Sequence, residues 1–558
     1  MSKLFILVTA LLTFIFVYRR LYYKRFAQYA KFPQLPSSLL FGHLKIYDEI
    51  TKRGAVDRDN DDVFLEIYQS LGRPSLVLMD YRPICRPVVF IASHEMAEQI
   101  SKATKLFPTS APKFDLSHLE PVIGPTSILS AYGEEWRLLR KSFNHGFSLQ
   151  HLLTLIPTMA NKTMVFVRQL DTLSKTGNKF SLVSLSMHLT FDIIGSVIMD
   201  VDLNAQDVDP SQRSELVRLF TKLLDAYWDD QIHIPWWLKI RTVLRRRRLG
   251  RRVERILKSI IRRKYEEQQA NLNNNHGQQL SILCLSLQNT KILSPDILDL
   301  TCDQLKTFLL AGHDTPSATI AWIFYELSRN SRALTAVRSE LDDIFGPRTE
   351  PEGIYAQLIS PAGADLVGRM LYTMAVIKET LRLHTPASTA RYSAAGTGLT
   401  IHTPTGDELC VDDMVVYNCS AIIHRDPAIY GDTADHFMPE RWLSGAQSTT
   451  PVPCGAWRPF ERGPRGCIGQ EFASIEIRVL IAMIARRYEF TKVGLGELVL
   501  TEEDRCPIVG DDGGYKVRSH LYNVSSQIPS SQMMMDARPV DGMMMTVEDI
   551  GEPKRHRK

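Results

Sequence analysis

The chain reads as one large, mainly α-helical body, and three observations carry that fold class. Residues 300–330 place Leu305, Phe308, Leu309, Ala311, Gly312, Thr315, Ile320, Ile323 and Leu327 at near-helical spacing, the pattern of a single long helix with a buried face. A second apolar, helix-like run, Phe472 to Ile484, follows a glycine-rich loop. Between about residues 40 and 520 there is neither an internal repeat nor a Gly/Ser/Pro-rich linker. The 558 residues, which by length alone suggest three or four domains, therefore fit one body better. Hydrophobic residues make up 44% of the chain, ample for a sizeable core, and a net charge of +4 is too near balance to imply a nucleic-acid partner. The eight cysteines (85, 284, 302, 410, 419, 454, 467, 506) form no Cys-x-x-Cys pair and no regular spacing. This argues against a zinc site and a secreted disulfide framework, and for a reducing, cytosol-facing body.

The N-terminus qualifies that location. Leu4 to Tyr18 carries no charge and is followed by Arg19, Arg20, Lys24 and Arg25. The run is shorter than the roughly 20 residues a full span prefers, but Leu21, Tyr22 and Tyr23 extend it into the interfacial region. A cleaved signal peptide fits less well, because no small-x-small cleavage site follows and the basic cluster lies after the apolar run. Residues 1–25 are thus expected to be an uncleaved, single-pass signal anchor with the body on the cytosolic side. Residues 26–40, with Pro33 and Pro36, are expected to form a stiff, extended hinge.

The chemistry centres on Phe460-Glu-Arg-Gly-Pro-Arg-Gly-Cys-Ile-Gly469. Cys467 sits in a glycine-rich loop just before the apolar run at 472–484, so a thiolate there lies near a helix N-terminus, among backbone N–H groups that favour the deprotonated sulfur. Such a sulfur is a soft ligand for iron. Gly463, Gly466 and Gly469 let the backbone turn sharply and approach a flat macrocycle. The run Phe-x-x-Gly-x-Arg-x-Cys-x-Gly resembles the haem-binding loop of the cytochrome P-450 monooxygenases at all five fixed positions. The resemblance implies the cytochrome P-450 fold, mainly α with small β-sheets, as a catalytic domain over 41–524. It also implies haem b with Cys467 as the axial ligand of the iron, and Phe460, Arg465 and Gly469 beside the cofactor.

Other segments extend the resemblance. Ala311-Gly-His-Asp-Thr-Pro-Ser317 is similar to the family's oxygen-activation segment. Small Ala311 and Gly312 leave room near the haem face, Thr315 lies one turn beyond Ala311, and Asp314 is the expected proton relay. Pro316 has no N–H for the Gly312 carbonyl and is expected to kink the helix. Glu379 and Arg382, three apart, share a helix face; alone, such a pair is most often a surface bridge. With Arg441 in Phe437-Met-Pro-Glu-Arg-Trp442 the family makes of it a buried structural triad holding the cysteine loop. Trp136 and Arg140, Arg391, and Arg465 stand where the family gathers donors for the haem propionates, and Phe107 to Pro121, Phe308 to Ala311 and Thr385 to Thr389 where it lines its substrate pocket.

What remains is surface and tail. Ile232 to Trp237 is an aromatic loop suited to a bilayer interface or to internal packing. Arg245 to Arg248, with Arg251 and Arg252, is a basic run, commonly a solvated helix face, that could instead meet anionic lipid or a reductase. Residues 525–558, with two Met-Met-Met runs and a basic end, are expected to be a disordered tail. The resemblance implies a monomeric monooxygenase of the endoplasmic-reticulum membrane that oxidises a lipophilic molecule in contact with membrane lipid. Electrons would come from NADPH through a separate flavoprotein, the NADPH-cytochrome P-450 reductase, because no dinucleotide fingerprint is visible. The style is that of fungal secondary metabolism. Two rivals stand beside it: a haem-thiolate isomerase or dehydratase that needs no reductase, and a membrane-tethered scaffold in which Cys467 is a buried thiol.

Overall fold

The computed structural model describes residues 2–55, 57–228, 239–271, 280–443, 451–502, 506–524 and 537–551. The first helix, α1 (Ser2–Tyr22), has its apolar side chains exposed along its length, with Leu4 and Phe5 more than two-thirds accessible. It is long and apolar enough to cross a membrane. The only other described helix meeting that test, Leu182–Met199, is mostly buried and is a core helix.

Residues 26–40 are not a free connector. Arg25 is buried and donates to Asp80 and to the carbonyls of Leu39, Leu40 and Arg82. Phe32 and Leu35 are buried, and the Pro33 carbonyl accepts from Leu78 N at 2.8 Å. The prolines keep the segment extended, and that shape lets it lie along strand β1 (Leu76–Met79).

Helices dominate the body: α2 (Gly133–Asn144), α3 (Ile156–Thr176), α4 (Leu182–Met199), α5 (Glu215–Trp228), α6 (Ile240–Asn271), α7 (Pro295–Arg329), α8 (Leu371–Leu383) and α9 (Gln470–Ile484). The long helix expected over 300–330 is α7. Ser294 caps it by accepting from Ile297 N, Pro295 occupies its first position, and Asp296 and Arg329 suit its two ends. It is buried for most of its length, α4 lies along it, and α6, α8 and α9 also contact it. The helix continues through Pro316, so the proline is absorbed within α7. Gly312 is required by the α4 contact: a Cβ there would lie 2.5 Å from Ile194 Cδ1.

The sheets are small. One runs β1–β2–β5–β4, with β2 (Val88–Ile91), β4 (Thr389–Tyr392) and β5 (Val415–Asn418); β2 and β5 are parallel and the other pairings antiparallel. A second sheet joins β3 (Phe180–Ser181), β6 (Tyr488–Lys492) and β9 (Met544–Asp549), and a third pairs β7 (Asn523–Val524) with β8 (Arg538–Pro539).

The last two sheets correct the expectation of a disordered tail. Within 525–558, the described residues 537–551 are folded: β9 is the middle strand of its sheet, in register Met545↔Lys492 and Val547↔Phe490. Met543, Met545 and Val547 are buried while Met544, Thr546 and Glu548 are more exposed. That alternation is the period of a half-buried strand, and it outweighs the low-complexity composition that suggested disorder. Met545→Ala should therefore cost about 2–5 kcal/mol, as for other buried methionines. Equilibrium unfolding of the full chain measures it, and a cost below about 0.5 kcal/mol, the range of surface changes, would show that this strand is not part of the core.

Candidate active site

The site is built on the loop between residues 457 and 469. Gly463 sits at φ +72°, and a Cβ there would lie 2.1 Å from the Ser101 carbonyl oxygen, so this turn closes against the Ser101 backbone only with glycine. Gly469 has only the Cys467 sulfur within 4 Å of its would-be Cβ, at 3.9 Å, and thus faces open space on the side of the thiol. Cys467 N donates to the Phe460 carbonyl at 2.8 Å, folding the loop over itself. The α9 helix begins at Gln470, next to the cysteine, as its sequence position implied.

A buried carboxylate holds this loop. Both oxygens of Glu379 are inaccessible to solvent; Oε1 accepts from Arg382 Nη2 at 2.8 Å, Arg441 Nε at 2.9 Å and Met438 N at 2.9 Å. Oε2 accepts from Arg382 Nε at 3.0 Å and from Trp442 Nε1 at 2.9 Å. The three residues expected to form a triad thus meet, joined by Trp442 and a backbone amide that the motif did not announce. Two routes lead onward to the cysteine loop. In one, Arg382 Nη1 donates to the His424 carbonyl, and His424 Nε2 accepts from Arg458 N at 2.9 Å. Burial, with Arg382 and Arg458 nearby, pushes the His424 imidazole down to about 3, so it stays neutral and able to accept. In the other, Trp442, Trp457 and Phe460 follow edge to face at 5.9 and 6.1 Å between ring centroids.

Cys467 opens onto an internal cavity of about 570 Å³. In the buried middle of α7, Leu310, Ala311, Gly312 and Thr315 keep surface open, and all four line the cavity. Its apolar wall includes Leu119, Ile128, Leu129, Ile194, Phe308, Pro386 and Ala387. Of the segment 107–121 expected to line it, only Lys113 and Leu119 do so; from 385–389, Pro386 to Thr389 do.

One edge of the cavity gathers cations. Lys113, Arg140 and Arg465 line it, and Arg391 is fully buried behind, bridged to Lys113 through the backbone. Arg140 Nη1 donates to the Gly466 carbonyl at 2.8 Å, clamping α2 to the cysteine loop. Arg465 donates to the carbonyls of Ile128, Leu129 and Ala131, and its guanidinium lies 5.0 Å over the Trp136 ring, a cation–π contact. Desolvation, with Arg391 and Arg140 beside it, drives Arg465 down to about 9. Lys113 falls to about 7 through burial and the charges of Arg391 and Arg465. Arg391 is lowered by burial, and its Nε and Nη2 make no hydrogen bond. The nearest carboxylate, Glu461, lies 3.8 Å from Arg391 but is committed to Arg458, Ser101 and Asn418.

Four clustered cations, all lowered by burial and one of them, Arg391, with unsatisfied donors, form a site short of negative charge. A dianion whose carboxylates these cations would hold meets the deficit, and Cys467 and Ala311 line the same cavity, so the residues fit a haem. The sulfur makes the same demand. Burial raises the Cys467 thiol above its ordinary value, and the Gly469 N–H, Lys113 and Arg140 pull it only partly back. The Gly469 N–H at the helix start favours the thiolate, as the sequence position implied, and a metal cation at the sulfur would supply the rest of its stabilisation.

Thr315 and Asp314 part company. Thr315 lines the cavity and its hydroxyl donates to the Ala311 carbonyl at 2.8 Å. Asp314 is 1% exposed, is absent from the cavity wall and is ion-paired with Arg538 of β8. Sequence reasoning missed Lys113, Trp442 and Arg538; a lone lysine in a loop carries no pattern, and Arg538 arrives from the tail.

The family model described as Cytochrome P450 matches residues 66–509. The chain is 32% identical over 432 residues to the cytochrome P450 monooxygenase acrF of Aspergillus aculeatus, covering 74% of this chain and 83% of that protein. It is 28% identical over 486 residues to the cytochrome P450 monooxygenase polC of Polytolypa hystricis, covering 85% of this chain and 84% of that one. Among solved structures, the haem domain of cytochrome P450DA superposes with a TM-score of 0.67 at 16% identity, covering 93% of this chain and 97% of that one.

Two substitutions separate the parts of this site. Glu379→Ala leaves Arg382 and Arg441 uncompensated and should cost about 3–5 kcal/mol of stability, measured by unfolding; a cost under about 1 kcal/mol would remove the carboxylate from its central place. Lys113→Met should speed transfer of haem to an excess of apomyoglobin by about ten-fold or more, the worth of one charge-assisted hydrogen bond, while leaving the absorption bands of the loaded protein in place.

Proposed function

The chain belongs to the cytochrome P450 family and is a monooxygenase of that family; from that premise we propose how its own residues serve the reaction and what it oxidises. The observation that carries the reading is the pairing of the Cys467 sulfur with Ala311 and Thr315 across one cavity whose edge is cationic. When bound, haem supplies a redox-active iron that activates dioxygen, with the thiolate pushing electron density toward it. The protein does the rest. Lys113, Arg140, Arg391 and Arg465 would hold its carboxylates, with Trp136 bracing Arg465. Gly469 and Phe460 would lie beside it near the sulfur, and small Ala311 would leave room for oxygen and substrate.

The Thr315 hydroxyl, held by the Ala311 carbonyl, is one side-chain rotation from the cavity and is the group proposed to hold a proton there. Asp314 is proposed as its source. That carboxylate is buried against Arg538, and it is proposed to serve the cavity by parting from Arg538 and taking a proton from the solvent side. Thr315→Ala should preserve haem binding and lower product formed per NADPH consumed by about ten-fold or more. Asp314→Asn should do the same, and Arg538→Gln added to Asp314→Asn should have no further effect on that ratio. An additive loss would show that Arg538 acts independently of Asp314.

The cavity wall beside Ala311 is largely apolar, with the hydroxyl residues Thr307, Thr315, Thr319 and Ser388 among its polar members. A lipophilic substrate with few polar groups fits that wall. The fungal relatives support a biosynthetic step of secondary metabolism. We further propose that electrons come from NADPH through a separate flavoprotein reductase. In this reading α1 anchors a cytosolic body, with residues 26–40 as its docked base and 41–524 as the catalytic domain, in the endoplasmic-reticulum membrane. Purified full-length protein, reconstituted with the reductase and given candidate lipophiles under isotopically labelled dioxygen, should place one labelled oxygen atom in product. Turnover without reductase, or unlabelled product, would favour the isomerase or dehydratase alternative.

A further inference from the structure

The segments expected to line the cavity do not include α4, yet that helix reaches it at one point. Among the described residues Ile194, 2% exposed, is the one member of α4 on the cavity wall. Two features of the sequence put it there. Thr190 lies one turn earlier on the same face and donates its hydroxyl to the His313 carbonyl at 2.7 Å, which pins α4 against α7 beside Gly312. Gly312 carries no side chain, and a Cβ there would lie 2.5 Å from Ile194 Cδ1 and 2.7 Å from Ile194 Cγ1. The end of the isoleucine therefore occupies the place that a side chain at 312 would take.

That place adjoins the groups the reaction uses. Ala311 and Thr315 flank Gly312 along α7, and all three line the cavity with Ile194. The wall at this recess is thus one branched side chain, stiff at χ1 in a helix, on a core helix held by a buried hydrogen bond. Such a wall cannot yield as a loop does, and a single carbon more or less against it changes the affinity of an apolar ligand by about ten-fold or more. We propose that Ile194 is a specificity-determining residue, which sets how large a group can lie beside Gly312 and Thr315. The inference rests on the haem-thiolate reading of the cavity and adds a limit on the shape of the lipophilic substrate. On the side that faces α4 the oxidised position carries only small groups, and aryl or branched groups are turned away.

The experiment uses the full-length, haem-loaded protein and ligands that bind haem iron through nitrogen whatever the natural substrate: imidazole, 1-phenylimidazole and 4-phenylimidazole. Affinity is read from the shift of the Soret band, and the two phenyl compounds send the ring in different directions. Ile194→Ala should raise the affinity of at least one phenylimidazole, relative to imidazole, by about ten-fold or more, and Ile194→Phe should lower that same ratio. Ile194→Val should move it the way Ile194→Ala does by a smaller factor, and it carries the test if the alanine variant loses haem. A second measurement checks the seat itself. Gly312→Ala should lower the midpoint of thermal unfolding, and Ile194→Ala added to it should recover most of that loss, because the two changes meet at one contact. An Ile194 with a structural role alone would change unfolding and leave the ligand ratios where they are. Ratios equal to those of the natural chain in all three Ile194 variants would therefore overturn the proposal, as would a Gly312→Ala loss undiminished in the double variant. Failure of imidazole itself to shift the Soret band of the natural chain would instead remove the haem reading, and the inference with it.

Discussion

One buried carboxylate organises the working half of this molecule. Glu379 sits at zero accessibility between two guanidiniums, and removing it would leave at least one inaccessible positive charge with nothing to neutralise it. Its five hydrogen bonds reach α8, the 438–442 turn and the Trp442 ring, so the segment from 424 to 442 has one position relative to α8. The cysteine loop inherits that position through His424 and Arg458 on one side and the Trp442–Trp457–Phe460 stack on the other. The Cys467 sulfur is thus placed by contacts remote from it in sequence, and the glycine at 463 lets the loop turn back against the Ser101 backbone.

The second constraint is charge. The protein brings Lys113, Arg140, Arg391 and Arg465 to one edge of a largely apolar cavity, where burial lowers all four and repulsion from its neighbours further lowers Lys113 and Arg465. Such an arrangement is costly in isolation and becomes favourable when a dianion occupies the cavity. The raised thiol of Cys467 expresses the same need for a cation at its sulfur. The two demands meet at one cavity between α7 and the cysteine loop, and a charged macrocycle with a metal centre would answer both. An uncharged apolar ligand would answer neither.

How much of this was legible in the chain depends on how local each signal is. The α7 helix announces itself by its period, and the cysteine loop by a dense local motif; Trp136, Arg140, Ala311, Thr315, Phe460, Arg465, Cys467 and Gly469 all lie at one cavity, with Arg391 directly behind. The Glu379, Arg382 and Arg441 cluster was legible only because three weak motifs fell in a fixed order. What sequence could not show are encounters between distant segments. Asp314 faces Arg538, 224 positions away, and so turns from the cavity that its neighbour Thr315 lines. Gly312 lines the cavity, as its small size implied, and also packs against Ile194 of α4. Strand β9 was hidden because its methionines drew attention to composition, although they alternate in and out. The loop at 232–237 lies outside the described residues.

The account stands on Cys467 as the ligand of a haem held in this cavity. The most direct measurement is the difference spectrum of the purified, haem-loaded protein, reduced and carbon-monoxide-bound, for the natural chain and for Cys467→Ala. A strongly red-shifted thiolate Soret band in the natural chain, absent from the variant, is the expected result. Absence of that band in the natural chain, or its persistence in the variant, would contradict the account.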